Sequence, residues 1–373
     1  MVGRVGGMRQ ARFLAPGWQA GQRSGLYHCI SRVVDRRFVL KRAERERFVQ
    51  LMRLYEAFCG VRVLSYCVMS NHFHLLVEVP VRPDEGLGDG ELLRRLALLY
   101  RSGEVEEVRR RLAECRAAGD EAGAAAVKEK YLYRMWDLSQ FMKTLKQRFT
   151  QWFNKRHERR GTLWEDRFKS VIVEDGFAAR VMAAYIDLNP VRAGMVTDPA
   201  DYRWCGYGAA SGGRSEARAG ITRVMARLEC EQSVSADGLA AKVGPPRRSA
   251  EGRSWREVVG DYRAILLRAG EEKRRVDERT GEEIVVRRGL QPGSGEDEGS
   301  ANEGGLLDLG GLLRRRVRYF VEGGVIGSRE FLEAVFQGSR ERFGSQRRTG
   351  AREFRGARVP LFSLRDLRSH GIG

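Results

Sequence analysis

The sequence lacks the patterns that mark several common protein classes. Its six cysteines include no CxxC pair, which argues against a zinc ribbon and against a disulfide scaffold. No apolar run is long enough for a signal peptide or a membrane span, so we expect a cytoplasmic protein with reduced thiols and no membrane partner. A GxxxxGK phosphate loop is also absent, which argues against ATP-driven chemistry.

Negative charge is in deficit. The 67 Lys and Arg residues outnumber 49 Asp and Glu, which gives a formal net charge of +18 and a pI near 10.1. Such an excess indicates a polyanionic partner, most often nucleic acid. The alternative is a basic protein whose charge only keeps it in solution. A chain of 373 residues is long enough to form two domains.

Hydrophobic periodicity predicts an α+β fold. In chain order, the pattern predicts a strand at 26–34, a helix at 41–58, strands at 61–69 and 72–79, a helix at 136–157, a strand at 168–174 and a helix at 177–188. This order is that of a ferredoxin-like βαββαβ sandwich with an antiparallel sheet.

Composition divides the chain further. The predicted regions are a basic arm at 1–24, a catalytic domain at 25–207 that contains a helical-hairpin insertion at 81–134, a linker at 208–222, and a mostly helical, basic C-terminal region at 223–373 with a flexible segment at 291–305. In the last region, helices at 306–320 and 328–336 permit a helix-turn-helix interpretation, with Ser328 as the N-cap of the second helix.

Two histidines stand one residue apart in the predicted third strand. Side chains alternate along a strand, so His72 and His74 lie on one face while Phe73 and Leu75 point into a core. Two imidazoles side by side can bind one divalent ion. His-x-His alone is a weak signal, and a structural role is the alternative. His28, on the first strand, is interpreted as structural, although it is within reach of the site across the sheet.

A tyrosine and an asparagine share one turn of the last predicted helix. Tyr185 and Asn189 are four residues apart, and Asn189 precedes Pro190, where helices tend to end. With His72 and His74, the Asn189 amide oxygen would form a site for Mg²⁺ or Mn²⁺. Tyr185 would be the nucleophile that attacks a phosphodiester and displaces a 3′-hydroxyl. The alternatives are a tyrosine packed on the sheet and an asparagine that only ends a helix.

Basic and aromatic residues are interleaved between residues 141 and 170, where nine Lys or Arg face three Asp or Glu. Cationic groups bind phosphates and aromatic faces stack on unpaired bases, which favours single-stranded nucleic acid. The alternative is that the aromatic residues are core and the charges a solvated face. The candidate DNA-binding residues are Lys143, Lys146, Arg148, Lys155, Arg156, Arg167 and Lys169.

Four segments together resemble the Y1 (IS200-like) tyrosine transposases of the HUH superfamily, and their REP-associated branch in particular. The segments are YHCISRV, YCVMSNHFHLLVEVP, GTLWEDRFKS and YIDLNPVRAGMV. The resemblance implies a ferredoxin-like, single-strand DNA endonuclease and transferase. It assigns the family's His-hydrophobic-His to residues 72–74, the nucleophile to Tyr185, and the polar residue one turn later to Asn189, where classical relatives often have Gln.

The resemblance also implies a substrate and an assembly. REP-associated relatives are thought to act on short palindromic hairpins, so we expect single-stranded or hairpin DNA as partner, a 5′-phosphotyrosine intermediate, and a homodimer as a possible assembly. For the chemistry, the imidazoles of the third strand must converge with the phenol of Tyr185 within a few ångströms. The alternatives are a non-catalytic nucleic-acid-binding protein with the same fold, a zinc-dependent hydrolase, and an RNA-binding module.

Overall fold

The structure is a computed structural model. It describes residues 24–84, 86–226, 253–268, 273–276, 283–287, 301–302, 306–367 and 372. The predicted basic arm, except residue 24, lies outside the described residues, and so does the predicted flexible segment at 291–305, except residues 301–302. In the described part of the chain, no helix is both long and apolar enough to cross a membrane.

The N-terminal half begins with the elements that the sequence predicts. Strand β1 (Gly25–Arg32) leads to helix α1 (Arg42–Cys59), which ends at Gly60 with a positive φ of 68°. Glycine adopts this left-handed conformation without steric cost. Strands β2 (Arg62–Val68) and β3 (His72–Val79) then form a hairpin around Ser70 and Asn71.

The insertion is larger than the helical hairpin that the sequence predicts. Its described part contains helices α2 (Asp89–Leu96), α3 (Ser102–Ala117) and α4 (Glu121–Leu132). Helix α2 buries its leucines and packs against α1 as well as α3, so the insertion is attached to the core rather than being a solvated spacer. Helices α3 and α4 pack on each other as the predicted hairpin, and α2 is a short additional helix that the prediction did not include.

Helix α5 (Leu138–Arg156) and strand β4 (Lys169–Val173) complete the predicted sandwich. The side chain of Asp137 caps α5 by accepting a hydrogen bond from the backbone N–H of Gln140. The order of the first four strands is β4-β1-β3-β2, with every neighbouring pair antiparallel. This is the ferredoxin-like topology, and α1 and α5 together cover one face of the sheet.

Helices after β4 cover the opposite face. Helix α6 (Phe177–Asp187) packs on β2, β3 and β4, and continues after a break into the short α7 (Asn189–Arg192). Helices α8 (Gly206–Ser211) and α9 (Ser215–Met225) occupy the segment predicted as a linker, and α9 packs on β2.

The linker prediction at 208–222 is therefore wrong. Its Gly and Ala residues serve close packing rather than flexibility: a Cβ at Gly220 would lie 2.4 Å from the backbone oxygen of Leu64. Small residues let the helix backbone approach the sheet this closely. Composition alone does not distinguish this use of glycine from its use in a linker.

In its described residues, the C-terminal region contains both helices and strands rather than mostly helices. Helix α10 (Trp255–Arg268) packs on α6 and α9. Two short antiparallel pairs follow, β5 (Lys273–Val276) with β6 (Glu283–Arg287) and β7 (Ala301–Asn302) with β8 (Leu306–Leu307).

The final elements extend the main sheet. They are α11 (Leu309–Arg314), α12 (Tyr319–Glu322), β9 (Val325–Gly327), α13 (Arg329–Gln337), β10 (Arg352–Glu353) and β11 (Phe362–Ser363). Strand β9 pairs in parallel with β4, so the sheet of seven strands found among the described residues is not wholly antiparallel. Ser328 caps α13 as predicted, accepting from the N–H of Phe331. The helix-turn-helix interpretation is wrong, because β9 lies between the two helical segments.

Candidate active site

The two histidines of β3 lie on one face of the sheet, as the alternation predicts. The ring centroids of His72 and His74 are 5.1 Å apart. Between them, Phe73 points to the opposite face, where its ring lies 4.5 Å from that of Phe48 on α1. The strand therefore divides its side chains between a polar face and an aromatic core.

Helix α6 brings Tyr185 to the same face as the histidines. The ring centroids of Tyr185 and His74 are 6.4 Å apart, with the rings nearly perpendicular. The two rings thus lie near each other on one face of the sheet, and the catalytic role of this pair stays a prediction. No local sequence pattern predicts this placement, because Tyr185 and His74 are 111 positions apart in the chain.

His28 contacts His74 directly and is part of the site. Its Nε2 lies 2.9 Å from His74 Nδ1, and its Nδ1 lies 2.6 Å from the carbonyl oxygen of Phe320 on α12. Burial lowers the pKa of His28 to about 4, so the ring is neutral at neutral pH. A carbonyl oxygen only accepts, so Nδ1 of His28 carries the proton and its Nε2 accepts one from His74 Nδ1–H.

This chain of hydrogen bonds fixes the tautomer of His74. Burial, reinforced by the neighbouring His72 and His28, holds the pKa of His74 well below its usual value. A neutral imidazole that donates through Nδ1 has its lone pair on Nε2. His74 therefore carries on Nε2 the lone pair that metal coordination or proton acceptance would need, and its hydrogen bond to His28 orients the ring.

His72 is also a neutral imidazole with its proton on Nδ1, but its hydrogen-bond partner is different. Its Nδ1 lies 2.7 Å from Oδ1 of Asn71, whose Nδ2 donates to the carbonyl oxygen of Arg36 at 2.8 Å. The second bond orients the amide, so Oδ1 accepts and His72 donates through Nδ1. Burial, with the charges of Arg32 and Arg316, lowers the pKa of His72 to about 4. Both histidines are thus neutral with Nε2 lone pairs available.

Asn189 is oriented by its own helix. It is 9% exposed, and its Nδ2 donates to the carbonyl oxygens of Tyr185 at 3.3 Å and Ile186 at 3.1 Å. Among the described residues, no group of three His, Cys, Asp or Glu side chains could hold a metal. Two imidazoles and one amide oxygen, without a thiolate, are the donor types from which the sequence predicts a Mg²⁺ or Mn²⁺ site. The ligand role of Asn189 stays a prediction.

Arg192 is a site residue that sequence reasoning missed. Its guanidinium lies 4.0 Å from the ring centroid of Tyr185, donates to the Tyr185 carbonyl oxygen, and donates to the Leu313 carbonyl oxygen at 2.8 Å. Burial lowers its pKa. Arg192 lies seven residues after Tyr185, in the sequence NPVRAG. This spacing is about two helical turns, which is the signal by which the sequence could have placed Arg192 near Tyr185.

Asp187 fixes the helix that carries Tyr185. It is fully buried, and its carboxylate accepts hydrogen bonds from the hydroxyl of Tyr262 at 2.6 Å and the backbone N–H of Tyr207 at 2.9 Å. Burial raises its pKa to about 6. These bonds tie α6 to α8 and α10, so the helix that carries the phenol is supported in part by α10, which lies beyond the predicted catalytic domain.

Positive charge surrounds the site. Arg32 pairs with His72 across the β1–β3 register, and Arg316 is close enough to lower the pKa of His72. Lys169, one of the predicted DNA-binding residues, occupies the same row of the sheet as His74 and forms an ion pair with Glu322 at 3.3 Å. Cationic groups at these positions suit an anionic substrate such as a phosphodiester.

The C-terminal region covers the candidate nucleophile. Tyr185 is 4% exposed, and the ring of Phe320 packs edge-on against it with centroids 4.7 Å apart. Phe320 itself is buried, and the same residue supplies the carbonyl that orients His28. The site is therefore formed by both halves of the chain, a contact that no local pattern in the sequence predicts.

The predicted DNA-binding residues are split between the two faces. Lys143, Lys146, Arg148, Lys155 and Arg156 lie on α5, which covers the face opposite Tyr185. Several also have protein partners: Lys146 donates to the Asp166 carbonyl oxygen at 2.8 Å, and Arg156 forms an ion pair with Glu44 at 3.6 Å. Arg167 lies between α5 and β4. A role in DNA binding stays a prediction for all of them.

Comparison with known proteins gives a family for part of the chain. Residues 22–84 match the family described as "Transposase IS200 like", a segment that contains β1 to β3 and hence His28, His72 and His74, but not Tyr185. No curated protein matches. Among solved structures, a REP-associated tyrosine transposase bound to a REP hairpin is similar at 15% identity and a TM-score of 0.35, over 56% of this chain and 90% of that chain. The family match confirms the resemblance to IS200-like transposases in the part of the chain that carries the histidine pair.

Proposed function

We propose that this protein is a metal-dependent transposase-like enzyme that cleaves and rejoins single-stranded DNA, with Tyr185 as the nucleophile. The observation that carries the proposal is the geometry of one face of the sheet. Two neutral histidines present their Nε2 atoms there, and the ring of Tyr185 lies 6.4 Å from that of His74. The similarity of residues 22–84 to IS200-like transposases also supports a transposase-like function.

A Mg²⁺ or Mn²⁺ ion would be held by Nε2 of His72, Nε2 of His74 and the amide oxygen of Asn189. Each of these three ligands is part of the proposal. Such an ion supplies Lewis-acid polarisation of a phosphodiester oxygen. His28 acts through His74, because it holds the ring in the tautomer whose Nε2 is free. Arg32 and Arg316 are placed to balance the charge of the phosphate.

The covalent step moves one phosphoryl group. The Tyr185 hydroxyl oxygen forms a bond to phosphorus as the bond from phosphorus to the 3′-oxygen breaks. The phenol loses its proton and the departing 3′-oxygen gains one, so the step is balanced. The 5′-phosphotyrosine product keeps the energy of the phosphodiester for rejoining, which agrees with a chain that carries no ATP-binding GxxxxGK loop.

Access to Tyr185 requires a movement. Because this residue is only 4% exposed and packs against Phe320, a DNA strand reaches its hydroxyl after α12 has moved away from α6. Helix α12 is joined to the site by the hydrogen bond from His28 to the carbonyl oxygen of Phe320 and by the ion pair of Glu322 with Lys169, and it packs on β1 and β4. Hairpin DNA as substrate and a homodimer as assembly are parts of the proposal that rest on the resemblance alone.

The proposal is tested by trapping the covalent intermediate. Labelled hairpin and single-stranded oligonucleotides, taken from palindromes that flank the gene, are incubated with the protein and Mg²⁺ or Mn²⁺, and adducts are resolved on denaturing gels. We expect an adduct that disappears with EDTA and with Tyr185→Phe, while DNA binding survives. Tyr133→Phe is the matched control, since Tyr133 is 55% exposed and remote from the histidines. An adduct that persists in Tyr185→Phe overturns the assignment.

A second candidate function is favoured by the burial of Tyr185 under Phe320. A nucleic-acid-binding protein that has kept the fold without its chemistry would tolerate a covered tyrosine. It predicts tight binding, insensitive to EDTA, with no adduct on any oligonucleotide. Cleavage without an adduct would instead indicate a hydrolase that uses the histidine pair.

A further inference from the structure

A basic groove lies on the face of the molecule opposite Tyr185. It has a volume of about 570 Å³ and is bounded by α1, α5 and the segment that joins α2 to α3. Five cationic side chains line it against one acidic side chain, Glu104. The cationic residues are Arg47, Arg101, Arg134, Arg148 and Lys155. This excess of positive charge indicates an anionic ligand.

Aromatic side chains share the groove with these charges. Tyr55, Tyr100 and Trp152 contribute to its lining, and Trp152 and Tyr100 are each only partly buried. Aromatic faces beside cations are the combination that binds unpaired nucleotides, because bases stack on the rings while phosphates meet the charges. In a duplex the base faces are already stacked on each other and cannot use such rings.

Two of the arginines that line the groove have a buried Nε atom. Among the described residues, the buried Nε atoms of Arg47 and Arg134 have no hydrogen-bond partner. The guanidinium of Arg134 is held in place by stacking on Phe58, at 4.6 Å from its centroid, and by a hydrogen bond to the hydroxyl of Tyr100. Arg134 is therefore a fixed cation in the wall of the groove.

We propose that this groove binds an unpaired segment of single-stranded nucleic acid. The site is separate from the histidines and Tyr185, because α1 and α5 lie on the other side of the sheet from α6. It therefore contacts a part of the strand that is distant from any bond cut at Tyr185. One wall of the groove is formed by inserted residues, which are Leu98, Leu99, Tyr100, Arg101 and Glu104.

The groove does not depend on the proposed chemistry, so it is tested by binding alone. The fluorescence anisotropy of a labelled, structureless oligothymidylate is measured with the full chain in EDTA at low salt. We expect Arg101→Glu to weaken binding about tenfold, since it replaces an exposed cation in the groove by an anion. Arg109→Glu is the control with the same change of charge, because Arg109 is exposed on helix α3, which begins directly after Arg101, but does not line the groove.

Two results would overturn the proposal. One is equal loss of affinity in Arg101→Glu and Arg109→Glu, which would show only a general effect of charge. The other is equal or tighter binding of a duplex oligonucleotide or of polyglutamate, which would show a different ligand. Tyr185→Phe should bind as the unsubstituted protein does, so a failed adduct experiment leaves this test unaffected.

The position of the strand is mapped by photocrosslinking. Oligonucleotides with 5-iodouracil in place of thymine crosslink to aromatic side chains that stack on them, and tryptic peptides then identify the residue. We expect the nucleotide on the peptide from Phe149 to Lys155, which contains Trp152. Crosslinks confined to peptides outside α1, α5 and the insertion would contradict the groove as the binding site.

Discussion

The two faces of strand β3 differ in what holds their side chains: aromatic packing on one face and hydrogen bonds on the other. On one face, Phe73 is fully buried among aromatic rings, 4.5 Å from Phe48 and 5.2 Å from Trp164. On the other, His72 and His74 are oriented by hydrogen bonds whose partners are themselves oriented. Adjacent residues of one strand thus serve packing and chemistry separately, and variants on either face should have separable effects.

The largest effect on stability is expected on the aromatic face. Phe73→Ala removes a fully buried ring from the contact with α1 and should lower the free energy of unfolding by about 3–5 kcal/mol. His72→Ala, at the partly exposed end of the same strand, should cost well under half as much and abolish metal binding. Urea unfolding of both variants measures the difference. A larger loss in His72→Ala would show that the division between the faces is false.

The cover over the polar face is tested by Phe320→Ala. Loss of this buried ring should destabilise the protein by about 3 kcal/mol. It should nevertheless speed adduct formation, because Tyr185 loses the ring that packs against it. Phe354→Ala is the control: Phe354 is also buried and packs on Phe320, whereas the ring that packs on Tyr185 is that of Phe320. Equal adduct rates in the two variants would mean that Phe320 does not limit access.

A smaller effect is expected from His28→Phe, which keeps a ring of similar size but removes both nitrogens. His74 then loses the acceptor that fixes its tautomer, and Mn²⁺ affinity should fall about 10–100-fold. Titration of Mn²⁺ followed by electron paramagnetic resonance measures this directly. His157→Phe is the control, since His157 lies at the end of α5 and pairs with Glu44. Unchanged affinity in His28→Phe would remove His28 from the site.

The smallest effect concerns the insertion behind the aromatic face. Hydrogen bonds from Arg116, and then Lys128, lower the pKa of Asp89 to about 2, so its contribution to stability is present above pH 4 and is lost as the pH falls towards 2. The carboxylate is partly exposed, so the contribution is under about 1 kcal/mol. Asp89→Asn should reduce the acid sensitivity of unfolding in this range, whereas Glu106→Gln, in an exposed pair with Arg109, should not.

The sequence predicts what local periodicity determines. Strands β1 to β3 and the facing of His72, Phe73 and His74 follow from alternation over a few residues. The partnership of His28 with Phe320 joins residues 292 positions apart, and no periodic signal records it. Strand β9 is three residues long, which is too short for an alternating pattern, and it pairs with β4, which is distant in the sequence. Glycines at 208–222 suggested a linker because composition does not show what a helix packs against.

The most direct measurement is mass spectrometry of the trapped adduct. Trypsin releases Tyr185 in the peptide from Val181 to Arg192, in which it is the single tyrosine. The account predicts that this peptide, and no other, carries the mass of a 5′-linked nucleotide after incubation with metal and cleavable single-stranded DNA. A nucleotide on any other peptide, or strand cleavage that leaves this peptide unmodified, would contradict it.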